Sequence, residues 1–190
     1  MTVAETAYAA FPLLGEVAAA GLRGYIGWLL IGAGLGKLKA PLTFEGELAD
    51  YRLLPAFLVS PLARVLPLGE LLLGGLLIVQ ILPEYVSLAA AGLLLVFAGA
   101  VAINLMRGRR HISCGCGGAG DGRTIGEGMA IANVVLAGLL LASARVGLPP
   151  SGLLLGGALV LGAGAYLIAQ VLALASRLAA RPLGVVNGKG

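Results

Sequence analysis

Charge is what this chain has least of. Asp, Glu, Lys and Arg make up 12% of its 190 residues, where soluble domains carry about 25%. Apolar residues supply 59%, above the roughly 45–50% of soluble chains. Too few charges remain to cover a water-facing surface, which excludes an ordinary soluble globule and points to lipid as the solvent. Metal-ligating residues are nearly absent too. Cys114, Cys116 and His111 are the only cysteines and histidine, and no second cysteine pair completes a closed four-ligand zinc site. The start, Met1 to Phe11, lacks a basic segment and carries Glu5. It does not read as a cleavable signal peptide, so the first apolar run is expected to stay as an anchoring span. There is no internal repeat and no low-complexity linker.

Glycine is plentiful, with 31 residues and no collagen-like period; in membrane helices it lets backbones approach closely. The net charge of +4 comes from short basic clusters between apolar runs. That is how membrane loops look, and it gives no reason to expect nucleic acid as a partner.

A bilayer-crossing helix needs about 20 mostly apolar residues. Segments 17–37, 62–82, 85–106, 125–147 and 150–176 satisfy this. The expected architecture is an all-α integral membrane protein forming one domain over residues 1–190, a transmembrane four-helix bundle with a fifth, C-terminal span. Arg23 interrupts the first segment near one end and is expected to snorkel to the headgroups. Pro41, Pro55 and Pro61 punctuate the first connection, Pro83 closes the second span, and Pro149-Pro150 separates the last two. Residues 43–60 mix aromatic and leucine side chains with four charges, which suits either a short amphipathic interfacial helix or a plain loop.

With five spans, every Lys and Arg except Arg23 and Arg145 falls on one face. The positive-inside rule puts that face in the cytoplasm. The expected location is the bacterial inner membrane, with the amino terminus outside and the carboxyl terminus inside.

Chemistry concentrates in the loop 107–124, whose Arg107–Arg123 stretch reads RGRRHISCGCGGAGDGR. Cys114 and Cys116, separated by Gly115, can close a very small disulfide ring only through a bent backbone, which glycine permits. Such a ring is strained, and strained, exposed disulfides are the labile or catalytic ones. Arg110 and its neighbours favour the thiolate. The competing readings are a soft-metal site of Cys114, Cys116 and His111, and a tight glycine-rich turn without chemistry. Glu70 lies within a span, where a carboxylate is costly and marks a functional position. It is expected to be protonated, to pair with Arg23 or to bind a polar ligand. Asn104 and Asn133 read as interhelical hydrogen-bonding residues, and Glu127 as a favourable charge at a helix start.

The order of several short motifs resembles a known family. Gly36-Lys37-Leu38 is followed by Pro41, and Tyr51-Arg52-Leu53-Leu54-Pro55 comes next. Leu66-Pro67 precedes Glu70-Leu71, and Asn104-Leu105 precedes Arg107-Gly108-Arg109-Arg110. Cys114-Gly115-Cys116-Gly117-Gly118 completes the series. Together they resemble the methylamine utilisation protein MauE family within the DoxX-like membrane proteins, from about Gly21 to Ala144. Gly117 and Ser113 depart from the residues the family often carries there. The resemblance implies a role in maturing methylamine dehydrogenase beside a thioredoxin-like partner, MauD, with an exported disulfide-containing client. It also implies that Cys114 and Cys116 are the redox pair. His111, Arg110, Glu70, Tyr51 and Arg52 are the accessory candidates, and a quinone acceptor near Glu70 or Tyr51 is a cofactor candidate. One tension follows: charge bias places the loop in the cytoplasm, while an exported client needs its disulfides outside. A soft-metal carrier and a non-catalytic membrane assembly subunit are the alternatives.

Overall fold

The computed structural model describes residues 3–113 and 124–179. Six α-helices account for nearly all of them: α1 (Val3–Lys39), α2 (Pro41–Asp50), α3 (Ala56–Val79), α4 (Pro83–Met106), α5 (Glu127–Ala144) and α6 (Gly152–Ala179). All but α2 are long and apolar enough to cross a membrane. Large side chains such as Leu72, Val160 and Leu153 stand exposed around the perimeter, an arrangement stable only where the surroundings are as apolar as they are. The protein is a multi-pass membrane protein.

α1 is the central helix. It packs antiparallel on α3, parallel to α6, and against the end of α5. Backbone contact between α1 and α3 is made at Gly27 and Gly74, where a Cβ on either residue would meet the other's carbonyl oxygen within 2.8 Å. Small residues therefore set the crossing, as expected where no hydrophobic force drives one helix onto another. Ile26, Leu30, Leu77, Ala90, Leu94, Ala137 and Leu140 fill the space among α1, α3, α4 and α5. Helix α6 joins the outer side of α1, with Trp28 stacked on Tyr166 at 6.4 Å.

Several sequence expectations are corrected. The second span begins at Ala56, so Pro61 lies inside α3, with Pro67, rather than in the connection. Pro55 serves as the N-cap, and the carbonyls freed by internal prolines are tolerable within a helical bundle. Of the two readings of the first connection, the helical one holds for its first part: a ten-residue helix, α2, starts with Pro41 at its first position. Arg23 does not snorkel. It is fully buried, donates from Nη1 to Gln80 Oε1 at 3.1 Å and from Nη2 to Val146 O at 2.6 Å, and also bonds Ser143 O. This fork ties α1 to the α3–α4 turn and to the end of α5. Gln80 and Leu82 in that turn hold φ of 56° and 45°.

Candidate functional site

The charged ends of α1, α4 and α5 meet α2 at the bundle end opposite Arg23. Two structures are built there: the stem of the cysteine-bearing loop and a cavity beneath it.

The stem begins where α4 runs out at Met106. Gly108, at φ 73°, turns the chain, and Arg109 N returns to Asn104 O at 3.0 Å. The two strands of the stem then pair: Ile125 N donates to Ile112 O at 2.9 Å, and Ser113 and Thr124 form a single antiparallel bridge. Ile112 and Ile125 are buried together with Tyr51 and Val101. Outside this apolar plug, Arg110 pairs with Glu127 at 2.9 Å. Arg107 and Arg109 reach the backbone carbonyls of Arg52 and Tyr51, each at 3.4 Å. Ser113 Oγ donates to Glu47 Oε1 at 2.6 Å. Cys114 and Cys116 themselves lie outside the described residues, but the chain entering and leaving their segment is closed into a neck.

The cavity occupies about 430 Å³ among α2, α3 and α4. Its walls are mostly leucine, valine and phenylalanine, and its polar side chains are Lys37, Glu47 and Tyr51. Lys37, at the last turn of α1, forms a buried ion pair with Glu70. Its ammonium also faces the rings of Phe44 and Phe97 at 5.3 and 5.2 Å, within the range of cation–π attraction. Burial, reinforced by the charge of Glu47, pushes the Tyr51 hydroxyl up to about 12. A second cavity of about 120 Å³, which Glu70 and Asn133 line, adjoins Lys37 on its other side.

The predicted accessory residues thus separate. Tyr51 is buried in the cavity wall, Arg110 and His111 are exposed on the stem, and Arg52 is exposed with φ 50°. Glu70 pairs with Lys37 and not with Arg23, because Arg23 lies about 21 Å away along α1, 14 residues at about 1.5 Å each. Asn104 does not bridge helices: it bonds Ala100 O of its own helix and accepts from Arg109. Glu47, Phe44 and Phe97 are not site candidates in the sequence, and Lys37 enters there only as part of the Gly36-Lys37-Leu38 motif. The charge bias counts Lys37 as a loop charge; the signal that marks it is an ionisable residue at the opposite end of α1 from Arg23, where Glu70 meets it.

These features define a class: a multi-pass, all-helical membrane protein in which the described flanks of the cysteine-bearing segment pair at one bundle end. The comparisons with known proteins then give the family. A family model described as "Methylamine utilisation protein MauE" matches residues 15–146. The MauE of Paracoccus denitrificans is 38% identical over 173 residues, covering 89% of this chain and 92% of its own. That of Methylophilus methylotrophus is 36% identical over 148 residues, 77% of this chain and 78% of its own. The chain belongs to the MauE family of proteins involved in methylamine utilisation. No solved structure matches it. The family model stops at residue 146, before α6, which agrees with the outlying position of that helix.

Proposed function

We propose that this protein is a membrane thiol–disulfide exchange protein that supports methylamine utilisation, with Cys114 and Cys116 as its redox pair. The observation that carries the reading is the clamped neck. A reactive pair one residue apart must be presented to a partner without the flanking chain collapsing on it. The Ser113–Thr124 bridge, the Ile112–Ile125 plug and the Arg110–Glu127 pair hold both flanks at one bundle end. Four arginines in or beside the loop favour a thiolate. In the exchange, a thiolate attacks a partner's disulfide sulfur and forms a mixed disulfide. The second cysteine then resolves it, leaving the partner as a dithiol and this chain oxidised. Run in reverse, the same steps oxidise the partner.

The relatives carry the name of methylamine utilisation, and a thioredoxin-like MauD partner and an exported disulfide-containing client fit that setting. The distribution of Lys and Arg supports the bacterial inner membrane, with the amino terminus outside and the carboxyl terminus in the cytoplasm. The neck would then stand at the cytoplasmic end, and direct exchange with an exported client requires the Cys114–Cys116 loop to alternate its access through the bundle.

The test is the double variant Cys114→Ser/Cys116→Ser, expressed in a methylamine-grown host lacking its own copy. The expected result is normal membrane abundance with loss of active methylamine dehydrogenase. Wild-type activity in that strain overturns the redox reading, and metal bound stoichiometrically by the wild type but not the variant would favour a soft-metal carrier.

A further inference from the structure

The cavity among α2, α3 and α4 has no part in the exchange chemistry above. Its volume of about 430 Å³ is within the roughly 300–1,000 Å³ of small-molecule sites. Helices α3 and α4 are joined by a short turn at Gln80–Leu82, yet they touch each other less than α1 touches α3 or α4 touches α5. They diverge away from that turn, and the cavity fills the gap. Leu62 and Leu66 of α3 face Val96 and Ile103 of α4 along its sides, and α2 closes its end. Val96 and Ile103 are also exposed on the perimeter, so the gap opens sideways into hydrocarbon rather than into water.

An apolar slot open to the bilayer takes a lipid-soluble molecule, and the polar groups in it choose which. The one cation, Lys37, is already paired with Glu70, and Glu47 adds a carboxylate to the wall. The charge balance therefore disfavours a phosphate headgroup. What is offered instead is an ammonium with three N–H donors, only one of which is directed at Glu70, set between two phenyl rings. A flat, neutral ring bearing carbonyl acceptors meets each of these features.

We propose that this cavity binds the ring of a membrane quinone, with a ring carbonyl accepting a hydrogen bond from Lys37 and the isoprenoid tail leaving between α3 and α4. The binding itself rests on the cavity; its purpose rests on the thiol–disulfide reading. In the step it serves, two cysteine thiols give up two electrons and two protons and join as a disulfide, while the two ring carbonyls become the hydroxyls of the quinol. The cysteines are not part of the binding site.

The full chain in phosphatidylcholine nanodiscs, irradiated with a short-chain azidoquinone, tests the site. Gly99 lines the cavity, and a Cβ there meets nothing within 4 Å, so Gly99→Phe adds a ring at the cavity wall with no clash at its Cβ. Gly92→Phe, on the same helix and equally free of neighbours, is the control outside it. The expected result is saturable labelling, competed by decylubiquinone, reduced at least about tenfold in Gly99→Phe and unchanged in Gly92→Phe, about 1.4 kcal/mol or more of binding. Equal labelling of the two variants overturns the site, as does displacement by phosphatidylglycerol, which would assign the cavity to a lipid headgroup. The double cysteine-to-serine variant keeps its labelling under this inference. Labelling intact without thiol chemistry refutes the redox reading alone; thiol chemistry intact with labelling indifferent to Gly99→Phe refutes the quinone site alone.

Discussion

Lys37 and Glu70 form an ion pair inside the bundle, with side chains 4% and 1% exposed. The pair joins the end of α1 to the middle of α3 and stands between two cavities. Removing one partner leaves the other charge buried without compensation, at a cost of about 3–5 kcal/mol. Lys37→Met should therefore lower the thermal midpoint in a fixed detergent far more than the double variant Lys37→Met/Glu70→Leu. Equal losses for the single and double variants would show that the pair is not coupled.

At the opposite end, Gln80 gives Arg23 its one side-chain acceptor. Gln80→Leu keeps the volume and removes the acceptor, leaving guanidinium donors under-satisfied. A loss of about 1–3 kcal/mol is expected. Thermal unfolding in the same detergent measures it, and an unchanged midpoint contradicts the role assigned to the fork.

Glycine positions on α3 should separate cleanly. Gly74→Ala drives a Cβ to 2.7 Å from the Gly27 carbonyl and should cost about 1–3 kcal/mol through overpacking. Gly75→Ala, where a Cβ meets nothing within 4 Å, should be neutral or stabilising by up to about 1 kcal/mol from helix propensity. Parallel unfolding curves of the two variants check the contrast.

Tyr51 supplies a pH signature. Its hydroxyl is pushed to about 12 by burial and by Glu47, against about 10 in an unfolded chain. Between these values the folded protein holds a proton that the unfolded chain has released. Stability from this group is thus complete below pH 10 and falls as pH rises toward 12. Tyr51→Phe should flatten that part of the stability profile, and ultraviolet titration should lose a phenol that ionises near pH 12, about 12 being the value for Tyr51. A slope that survives the substitution assigns the alkaline loss elsewhere.

The neck can be tested without altering a cysteine. Ser113→Ala removes the 2.6 Å hydrogen bond to Glu47, a contribution of about 1 kcal/mol. Looser presentation of the pair should slow thiol exchange by about fivefold with membrane abundance unchanged. An unaltered rate would show that this contact does not help hold the loop.

How far the sequence revealed this arrangement differs from element to element. The five long helices were visible because lipid demands uninterrupted apolar runs, which composition alone displays. The start of α3 was misplaced because Pro61 usually ends a soluble helix, whereas here it lies within a bundle that accommodates it. Arg23 was expected at the headgroups because one-dimensional hydropathy does not see that Gln80 and the end of α5 converge on it. The same blindness hid Lys37: counted as a cytoplasmic charge, it turns inward because Glu70 lies opposite on α3. The Cys-Gly-Cys segment stands out in the sequence as a candidate for chemistry, but the stem that pairs its flanks depends on contacts across the loop, through Ile112 and Ile125, which no periodicity announces.

As a redox pair, Cys114 and Cys116 must cycle between dithiol and disulfide. The most direct measurement is differential alkylation of acid-quenched membranes, read by mass spectrometry, with each single Cys→Ser variant screened for a trapped mixed disulfide. The expected result is a Cys114–Cys116 disulfide population that dithiothreitol converts to dithiol, and a covalent complex with a second protein in one single variant. Two permanently reduced cysteines and no trapped complex in either variant would contradict it.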